Sequence, residues 1–228
     1  MHFILYADEW CRYAQEVKTK HSCIWRKHYT IGLTTLLICL FLGLFLLLKP
    51  LQSLDSYVVS ALPEQFPQYN VVMLTVTNIG SPFVLSLFVL AWAGIELAWQ
   101  RRDRAFVILL SLLSIPAAYV LKELIHRHRP VSIYADQLNL HSYSFPSGHA
   151  TMSFVVYLTL AFLISLRVPR IWSHIITHLA LILVLLIGVS RIYLGAHYPT
   201  DVIGGWIIGS IILLFIRAYV AKRERISQ

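Results

Sequence analysis

The stretch "LALILVLLIGVSRIYLGAHYPTDVIGGWIIGSIILLF", residues 179–215, decides the fold class, because it contains two long apolar runs joined by a short polar connection. A helix that crosses a bilayer needs about 20 mainly apolar residues. Each run approaches that length once its apolar neighbours are included. The stretch therefore predicts two membrane-spanning helices, with Arg191, His197 and Asp201 gathered at their junction.

The whole chain has the composition of a membrane protein. Of its 228 residues, 57% are hydrophobic and 13% are charged, and the mean hydropathy is +0.67, which excludes an ordinary soluble domain. Six segments approach spanning length: 31–48, 80–99, 105–121, 150–166, 174–190 and 202–220. No polar stretch between them is long enough to fold separately. We therefore predict an all-α fold, a six-transmembrane-helix bundle that forms one integral-membrane domain over residues 1–228.

The segments outside these runs have simpler interpretations. Residues 1–30 lack the short apolar core and cleavage site of a signal peptide, so we expect a cytoplasmic N-terminal segment, with residues 1–17 lying in the membrane interface. Segment 52–66 is too polar and too short to span and is predicted to be a surface helix. The three cysteines have no CxxC spacing, which favours reduced structural thiols.

The basic residues predict the orientation of the chain in the membrane. The net charge of +8 is scattered between apolar runs, so nucleic-acid binding is not indicated. Lys and Arg accumulate on cytoplasmic loops, and placing both termini in the cytoplasm puts most of them there. The other side keeps five: Lys49, Lys122, Arg127, Arg129 and Arg191. We expect a multi-pass protein of the cytoplasmic (inner) membrane, and these five exceptions are candidates for chemistry.

The first candidate motif is "KELIHRHRP", residues 122–130. Lys122 and Arg129 are seven residues apart, close to two helical turns, which predicts that both lie on nearly the same helix face. Pro130 disfavours helical geometry at the residue before it, so we expect the helix to end at Arg129.

Two further motifs flank the later spans. "FPSGHA", residues 145–150, places Ser147 and Gly148 at a helix start, where backbone N–H groups and the helix dipole favour an anion, with His149 on the first turn. The connection quoted above supplies Arg191, and then His197 four residues before Asp201. On the predicted topology, all three motifs reach the non-cytoplasmic face.

Together the motifs contain the kinds of side chains that phosphoryl transfer requires. Three permanent cations clamp phosphate oxygens, one imidazole attacks phosphorus and another protonates the leaving oxygen. A carboxylate beside the attacking imidazole fixes its tautomer. Three adjacent cations oppose a bound dication, so we expect no metal and no cofactor.

These residues resemble the three signature motifs of the type 2 phosphatidic acid phosphatase (PAP2) superfamily. The matching patterns are Lys122-x6-Arg129-Pro130, Pro146-Ser147-Gly148-His149 and Ser190-Arg191-x5-His197-x3-Asp201, and "TVTNIGSP" before the second span is similar to bacterial members. The resemblance implies a metal-independent phosphatase that acts through a phosphohistidine. It implies that His197 is the nucleophile, Asp201 its orienting partner and His149 the general acid. The phosphate would be held by Lys122, Arg129, Ser147, Gly148 and Arg191.

The function that this resemblance implies is hydrolysis of a lipid phosphate or diphosphate at the outer surface of the membrane. Undecaprenyl diphosphate, phosphatidylglycerol phosphate and phosphatidate are candidate substrates, and their chains would enter sideways from the membrane lipid. A phosphotransferase that passes the phosphoryl group to another lipid such as lipid A, and a non-catalytic lipid-phosphate binder, remain alternatives. The six spans disfavour a vanadium haloperoxidase, which shares the motifs. The sequence predicts no oligomeric state.

Other residues are assigned simpler roles. His126, His128 and His141 are expected to be solvated loop histidines. Glu96 is expected to pair with Arg101 or Arg102. Gly205 and Gly209 have the spacing of a close helix contact within the chain.

Overall fold

The computed structural model describes residues 20–65, 67–131 and 142–226, and its regular structure within these ranges is entirely helical. The chain divides into two units, residues 1–36 and 37–228. The predicted interfacial segment 1–17 and His141 lie outside the described residues.

Nine α-helices follow one another along the described chain. They are α1 (Lys20–Leu47), α2 (Gln52–Gln65), α3 (Asn70–Ile79), α4 (Pro82–Ala98), α5 (Arg102–Leu110), α6 (Ser114–Ile125), α7 (Gly148–Ser165), α8 (Arg170–Tyr193) and α9 (Pro199–Ile226). A 3₁₀ turn, Ser111–Leu113, joins α5 to α6. Of segment 52–66, predicted as a surface helix, residues 52–65 form α2, and Asp55 is buried in its first turn.

Six helical segments are long and apolar enough to cross a membrane, which confirms the predicted six-span all-α bundle. They are Thr30–Leu47, Asn70–Ala98, Arg102–Ile125, Gly148–Ser165, Arg170–Tyr193 and Pro199–Arg223. The second span begins ten residues earlier than predicted, because α3 and α4 follow each other with only Gly80 and Ser81 between them. A Cβ on Gly80 would lie 2.3 Å from a side-chain carbon of Ile187, so glycine lets α8 approach this break.

Helix α7 is the most buried of the spanning helices in the described residues. It packs mainly against α8 and α9, and 56% of its spanning residues are buried, compared with 39% or less in the other spans. Its buried face includes Met152, Val155 and Val156, which join apolar residues of α4, α5 and α9 in one core cluster. The motif at the start of α7 is therefore held by the most tightly enclosed helix of the described bundle.

The predicted glycine contact lies within the chain, between α9 and α7. A Cβ on Gly205 would lie 2.8 Å from the backbone oxygen of Ser147, and one on Gly209 would lie 2.9 Å from Cβ of Phe154. The start of α9 therefore lies directly against the start of α7, which brings the second and third motifs together.

Candidate active site

Helix α6 delivers the first motif but ends earlier than expected. It ends at Ile125, and His126 follows in the left-handed region with φ 53°, so the prediction that the helix ends at Arg129 is wrong. A helix that continued to Pro130 would lack the N–H that bonds the carbonyl of His126, and the proline ring would clash with that carbonyl. The shared helix face therefore does not explain how Lys122 and Arg129 come together.

The carbonyl groups of residues 142–144 bring the two cations together. Lys122 Nζ donates to the carbonyls of Tyr143 and Ser144, the latter at 3.2 Å. Arg129 Nε donates to the carbonyl of Ser142 at 2.7 Å, and its Nη2 donates to the hydroxyl of the same residue at 2.8 Å. Both side chains thus line the segment that leads into α7.

Ser147 is the N-cap of α7. Its backbone is extended (φ −69°, ψ 115°), its Oγ accepts from the amide of Ala150 at 3.4 Å, and its own amide donates to the carbonyl of Asp201 at 3.0 Å. A Cβ on Gly148 would have no atom within 4 Å, so the backbone there borders open space. The helix start can therefore be approached by an anion at Gly148, where the positive end of the helix dipole lies.

His197 lies between a carboxylate and a guanidinium. Its Nδ1 is 3.5 Å from Oδ2 of Asp201, and its Nε2 is 3.2 Å from Nη1 of Arg129, which also donates to the carbonyl of Ala196 at 2.8 Å. The Nδ1 contact is longer than a hydrogen bond, and contacts of this kind tighten in substrate complexes. Because a guanidinium only donates, the contact with Arg129 requires the lone pair on Nε2, and the proton of a neutral ring is then on Nδ1, toward Asp201.

Arg191 lies in the last turn of α8 and is almost fully buried. Its Nη1 donates to the hydroxyl of Thr77 at 2.8 Å, and Thr77 is buried at the end of α3. Thr77 belongs to the "TVTNIGSP" stretch, so this stretch also contributes a contact to the site.

His149 is half-buried on the first turn of α7 and interacts electrostatically with residues of the other two motifs. The groups that act on it electrostatically are Arg191, His197, Arg129 and Lys122. The structure thus brings the eight predicted site residues into one region of the 37–228 unit.

The charge states of two site residues outside the spans follow from burial. Burial, followed by the nearby charges of Lys122, Arg129 and Arg191, lowers the pKa of His197 well below its usual range. Burial and then Arg191 lower the pKa of Arg129 to about 10. At neutral pH, His197 is therefore neutral and Arg129 is still charged.

Three residues around Asp201 were missed by reasoning from the sequence. Ser144 Oγ donates to Asp201 Oδ2, and Arg127 bridges Asp201 and Asp55. One indication of a role for Arg127 was present in the sequence, because it was among the five basic residues on the predicted non-cytoplasmic side. The contacts of Asp55 and Ser144 depend on chain segments more than fifty residues apart, and no local pattern marks them.

The sequence also assigned simpler roles to two loop histidines and to Glu96. His126 and His128 are exposed beside Tyr143, as expected for loop histidines. At the far end of the spans, Glu96 is buried and lies 3.7 Å from Arg101, as predicted, and also 4.0 Å from Arg104 and 3.8 Å from Arg167. Within residues 20–65, 67–131 and 142–226, no three His, Cys, Asp or Glu side chains gather as metal ligands.

The fold and the site define an integral-membrane protein in which basic side chains gather around two histidines. A family model described as the PAP2 superfamily matches residues 104–225, and the chain belongs to that superfamily. Phosphatidylglycerophosphatase B of Bacillus subtilis (strain 168) is 33% identical over 165 residues, which cover 71% of this chain and 80% of that protein. The chain is a PAP2-type membrane lipid phosphatase.

Two further comparisons agree with this membership. The crystal structure of a transmembrane PAP2-type phosphatidylglycerolphosphate phosphatase from Bacillus subtilis is similar with a TM-score of 0.72 and 29% identity, covering 83% of this chain and 96% of that one. An undecaprenyl-diphosphatase of Sulfolobus acidocaldarius is 43% identical over 68 residues, which are 30% of this chain and 29% of that protein.

Proposed function

We propose that this phosphatase hydrolyses a lipid phosphate or diphosphate through a phosphohistidine formed on His197. The observation that supports this most is the position of the His197 ring, with Nδ1 toward Asp201 and Nε2 toward Arg129. A buried, neutral imidazole oriented in this way has its nucleophilic nitrogen directed to the place where a guanidinium would hold phosphate. The substrates named for the relatives are phosphatidylglycerol phosphate and undecaprenyl diphosphate, and both end in a phosphate monoester or diphosphate.

In the first step, Nε2 of His197 attacks phosphorus and the bond from phosphorus to the leaving oxygen breaks. The phosphate oxygens are held by Lys122, Arg129, Arg191, the Ser147 side chain and the amide of Gly148. Asp201 stabilises the positive charge that develops on the imidazole when the N–P bond forms. Lys122 and Arg129 are held near His197 by carbonyls of residues 142–144 and 196, so the phosphate oxygens replace part of these hydrogen bonds when the substrate binds.

His149 moves the protons in both steps. Arg191, Arg129, Lys122 and, when it is protonated, His197 act electrostatically on His149. We propose that the negative charge of the bound substrate offsets these cations, so that His149 holds the proton that it delivers to the leaving oxygen. In the second step, water attacks phosphorus, neutral His149 accepts the proton of the water and the N–P bond breaks. His197 is then neutral again, inorganic phosphate departs, and no metal or cofactor is needed.

We place the site at the non-cytoplasmic face of the cytoplasmic membrane, with both termini and residues 1–30 on the cytoplasmic side. The cluster of Arg101, Arg104 and Arg167 around Glu96 supports this orientation, since basic residues favour the cytoplasmic end of spanning helices. Helix α7 has 18 residues, so its start at the second motif and its end near Arg167 are about 27 Å apart at about 1.5 Å per residue. The lipid chain would remain in the bilayer while its headgroup reaches the cations. Residues 1–228 act as one integral-membrane domain in this proposal.

The test is phosphate release from a panel of defined lipids by the purified full chain in detergent with excess chelator. The panel contains undecaprenyl diphosphate, phosphatidylglycerol phosphate and phosphatidate, each with and without a second lipid as acceptor. We expect release that persists in chelator and is abolished by His197→Ala, while His174→Ala, an exposed histidine of α8, retains activity. The proposal would be contradicted by phosphate release that requires an added metal. It would also be contradicted by transfer of the phosphoryl group to the acceptor lipid, or by lipid binding without turnover.

A further inference from the structure

We propose that Arg127, at one of the unspecified positions between Lys122 and Arg129 in the first motif, is a positioning residue that fixes Asp201 beside His197 and is itself held by Asp55 of α2. The proposal rests on the function proposed above, because it assigns a role within the same site.

Both terminal nitrogens of the Arg127 guanidinium are engaged in hydrogen bonds. Nη1 donates to Asp201 Oδ1 and to Thr200 Oγ1, each at 2.6 Å. Nη2 donates to Asp55 Oδ2 at 2.7 Å and to Gln52 Oε1 at 2.9 Å. The guanidinium carbon lies 4.4 Å from the centre of the Tyr198 ring, within range of a cation–π contact. With its side chain only 9% exposed, Arg127 has one defined position.

This position determines the orientation of the Asp201 carboxylate. Asp201 is fully buried, and its two oxygens have different partners. Oδ1 accepts from Arg127, whereas Oδ2 faces His197 and accepts from the amide of Tyr198 at 2.8 Å and from Ser144 Oγ. Since a carboxylate is planar, holding Oδ1 fixes the direction of Oδ2. Arg127 therefore acts on the nucleophile through Asp201, without touching it.

Asp55 holds the other side of Arg127. It is 2% exposed, its Oδ1 accepts from the amide of Thr200 at 3.2 Å, and its Oδ2 accepts from the Thr200 hydroxyl and from Arg127. Thr200 directly precedes Asp201 in the first turn of α9. Asp55 thus holds both the guanidinium and the backbone next to Asp201, and the first turn of α2 becomes part of the support of the site.

Charge balance explains why this position needs an arginine. Two buried carboxylates require compensation, and a single guanidinium donates to both at once through its forked geometry. A lysine at 127 would keep the charge but would present one point of contact. Arg127→Lys should therefore recover part of what Arg127→Gln loses.

The experiment compares Arg127→Gln, Arg127→Lys and Asp55→Asn with the wild-type chain, on the lipid that the wild type hydrolyses best. The control is Arg223→Gln, which removes an arginine from the exposed pair with Asp103. A neutral Asn at 55 keeps an oxygen acceptor for Thr200. We measure kcat, KM, the melting temperature and inhibition by orthovanadate, which resembles the transition state when it bonds to the nucleophile.

We expect Arg127→Gln to lower kcat by about 10- to 100-fold, about 1.4–2.7 kcal/mol at about 1.36 kcal/mol per tenfold, with KM changed less than about twofold. Vanadate inhibition should weaken by a similar factor, while inhibition by inorganic phosphate remains. Arg127→Lys and Asp55→Asn should show smaller losses in the same direction, and Arg223→Gln none. Both smaller changes keep the assignment testable if Arg127→Gln does not fold.

Lower melting temperatures with unchanged kcat and vanadate inhibition would overturn the proposal, because Arg127 would then only anchor α2. An equal loss of kcat in Arg127→Lys and Arg127→Gln, or in Arg223→Gln, would also overturn it. Failure of the proposed function looks different, since the wild-type chain itself would then release no phosphate.

Discussion

Replacing Gly205 by alanine tests whether the contact between α9 and α7 supports the site. The new Cβ would lie 2.8 Å from the backbone oxygen of Ser147 and 3.0 Å from both Cβ of Ala150 and Oγ1 of Thr151. Real Cβ atoms essentially never approach other atoms closer than 3.0 Å, so one of the two helices must move by several tenths of an ångström.

The Ser147 oxygen cannot move easily. It accepts from the amide and the hydroxyl of Thr151, both at 2.9 Å, and the amide of Ser147 is bonded to the carbonyl of Asp201. Overpacking of this kind typically costs about 1–3 kcal/mol. The gain of about 1 kcal/mol that Gly→Ala gives in a helix interior acts in the opposite direction, so a control with the same gain is needed. A shift at Ser147 would also displace the start of α7, so we expect kcat/KM to fall by about tenfold.

The control is Gly94→Ala in α4, where a Cβ would have no atom within 4 Å. Both variants gain the same helix propensity, so the difference between their unfolding free energies measures the clash alone. Denaturant unfolding in mixed micelles should place Gly205→Ala about 1–3 kcal/mol below Gly94→Ala. Equal stability of the two variants, with equal activity, would refute the close contact between α9 and α7.

Three further predictions concern the histidines and the topology. His149→Ala should lose about 10²- to 10⁴-fold on a lipid monophosphate but less on an aryl phosphate, whose leaving group needs little protonation; equal losses in kcat/KM would mean that His149 binds phosphate instead. In intact cells, with the native cysteines replaced, a membrane-impermeant thiol reagent should label Val131→Cys, which is 98% exposed, but not Asp103→Cys; the reverse pattern would invert the topology. The pKa of His197 is lower in the folded chain than the unfolded value of about 6.5, so the unfolded chain binds the proton first as pH falls. From pH 7.5 to 5.5 the wild type should therefore lose up to about 1.4 kcal/mol more unfolding free energy than His197→Gln, and equal losses would mean that folded His197 is protonated normally.

The spanning helices were predictable because the bilayer imposes a length on each apolar run. The errors occur where no membrane rule applies. The second span begins at Asn70 because the apolar residues before Gly80 form α3, which continues into α4. Helix α6 ends at Ile125 because the left-handed His126 turns the chain, and a proline four residues later does not fix that position in advance.

The motif residues were predictable because each pattern joins residue types with complementary chemistry at fixed spacing. The residues that hold the motif side chains in position were not predictable. In the sequence, Arg127 and Arg129 are similar basic residues on either side of a histidine, yet one contacts Asp55 and Asp201 and the other contacts His197. The contact between Arg127 and Asp55 joins residues 72 positions apart, so only the packing of α2 against the bundle reveals it.

The central claim is that His197 carries the phosphoryl group, and the most direct measurement is rapid-quench trapping of the enzyme with substrate labelled in its terminal phosphate. The proposed mechanism predicts a label that forms at least as fast as turnover, is labile in acid and stable in base, and maps to the peptide that contains His197. His197→Ala should trap none. Turnover without any trapped label in the wild type, or label on a residue other than His197, would contradict the claim.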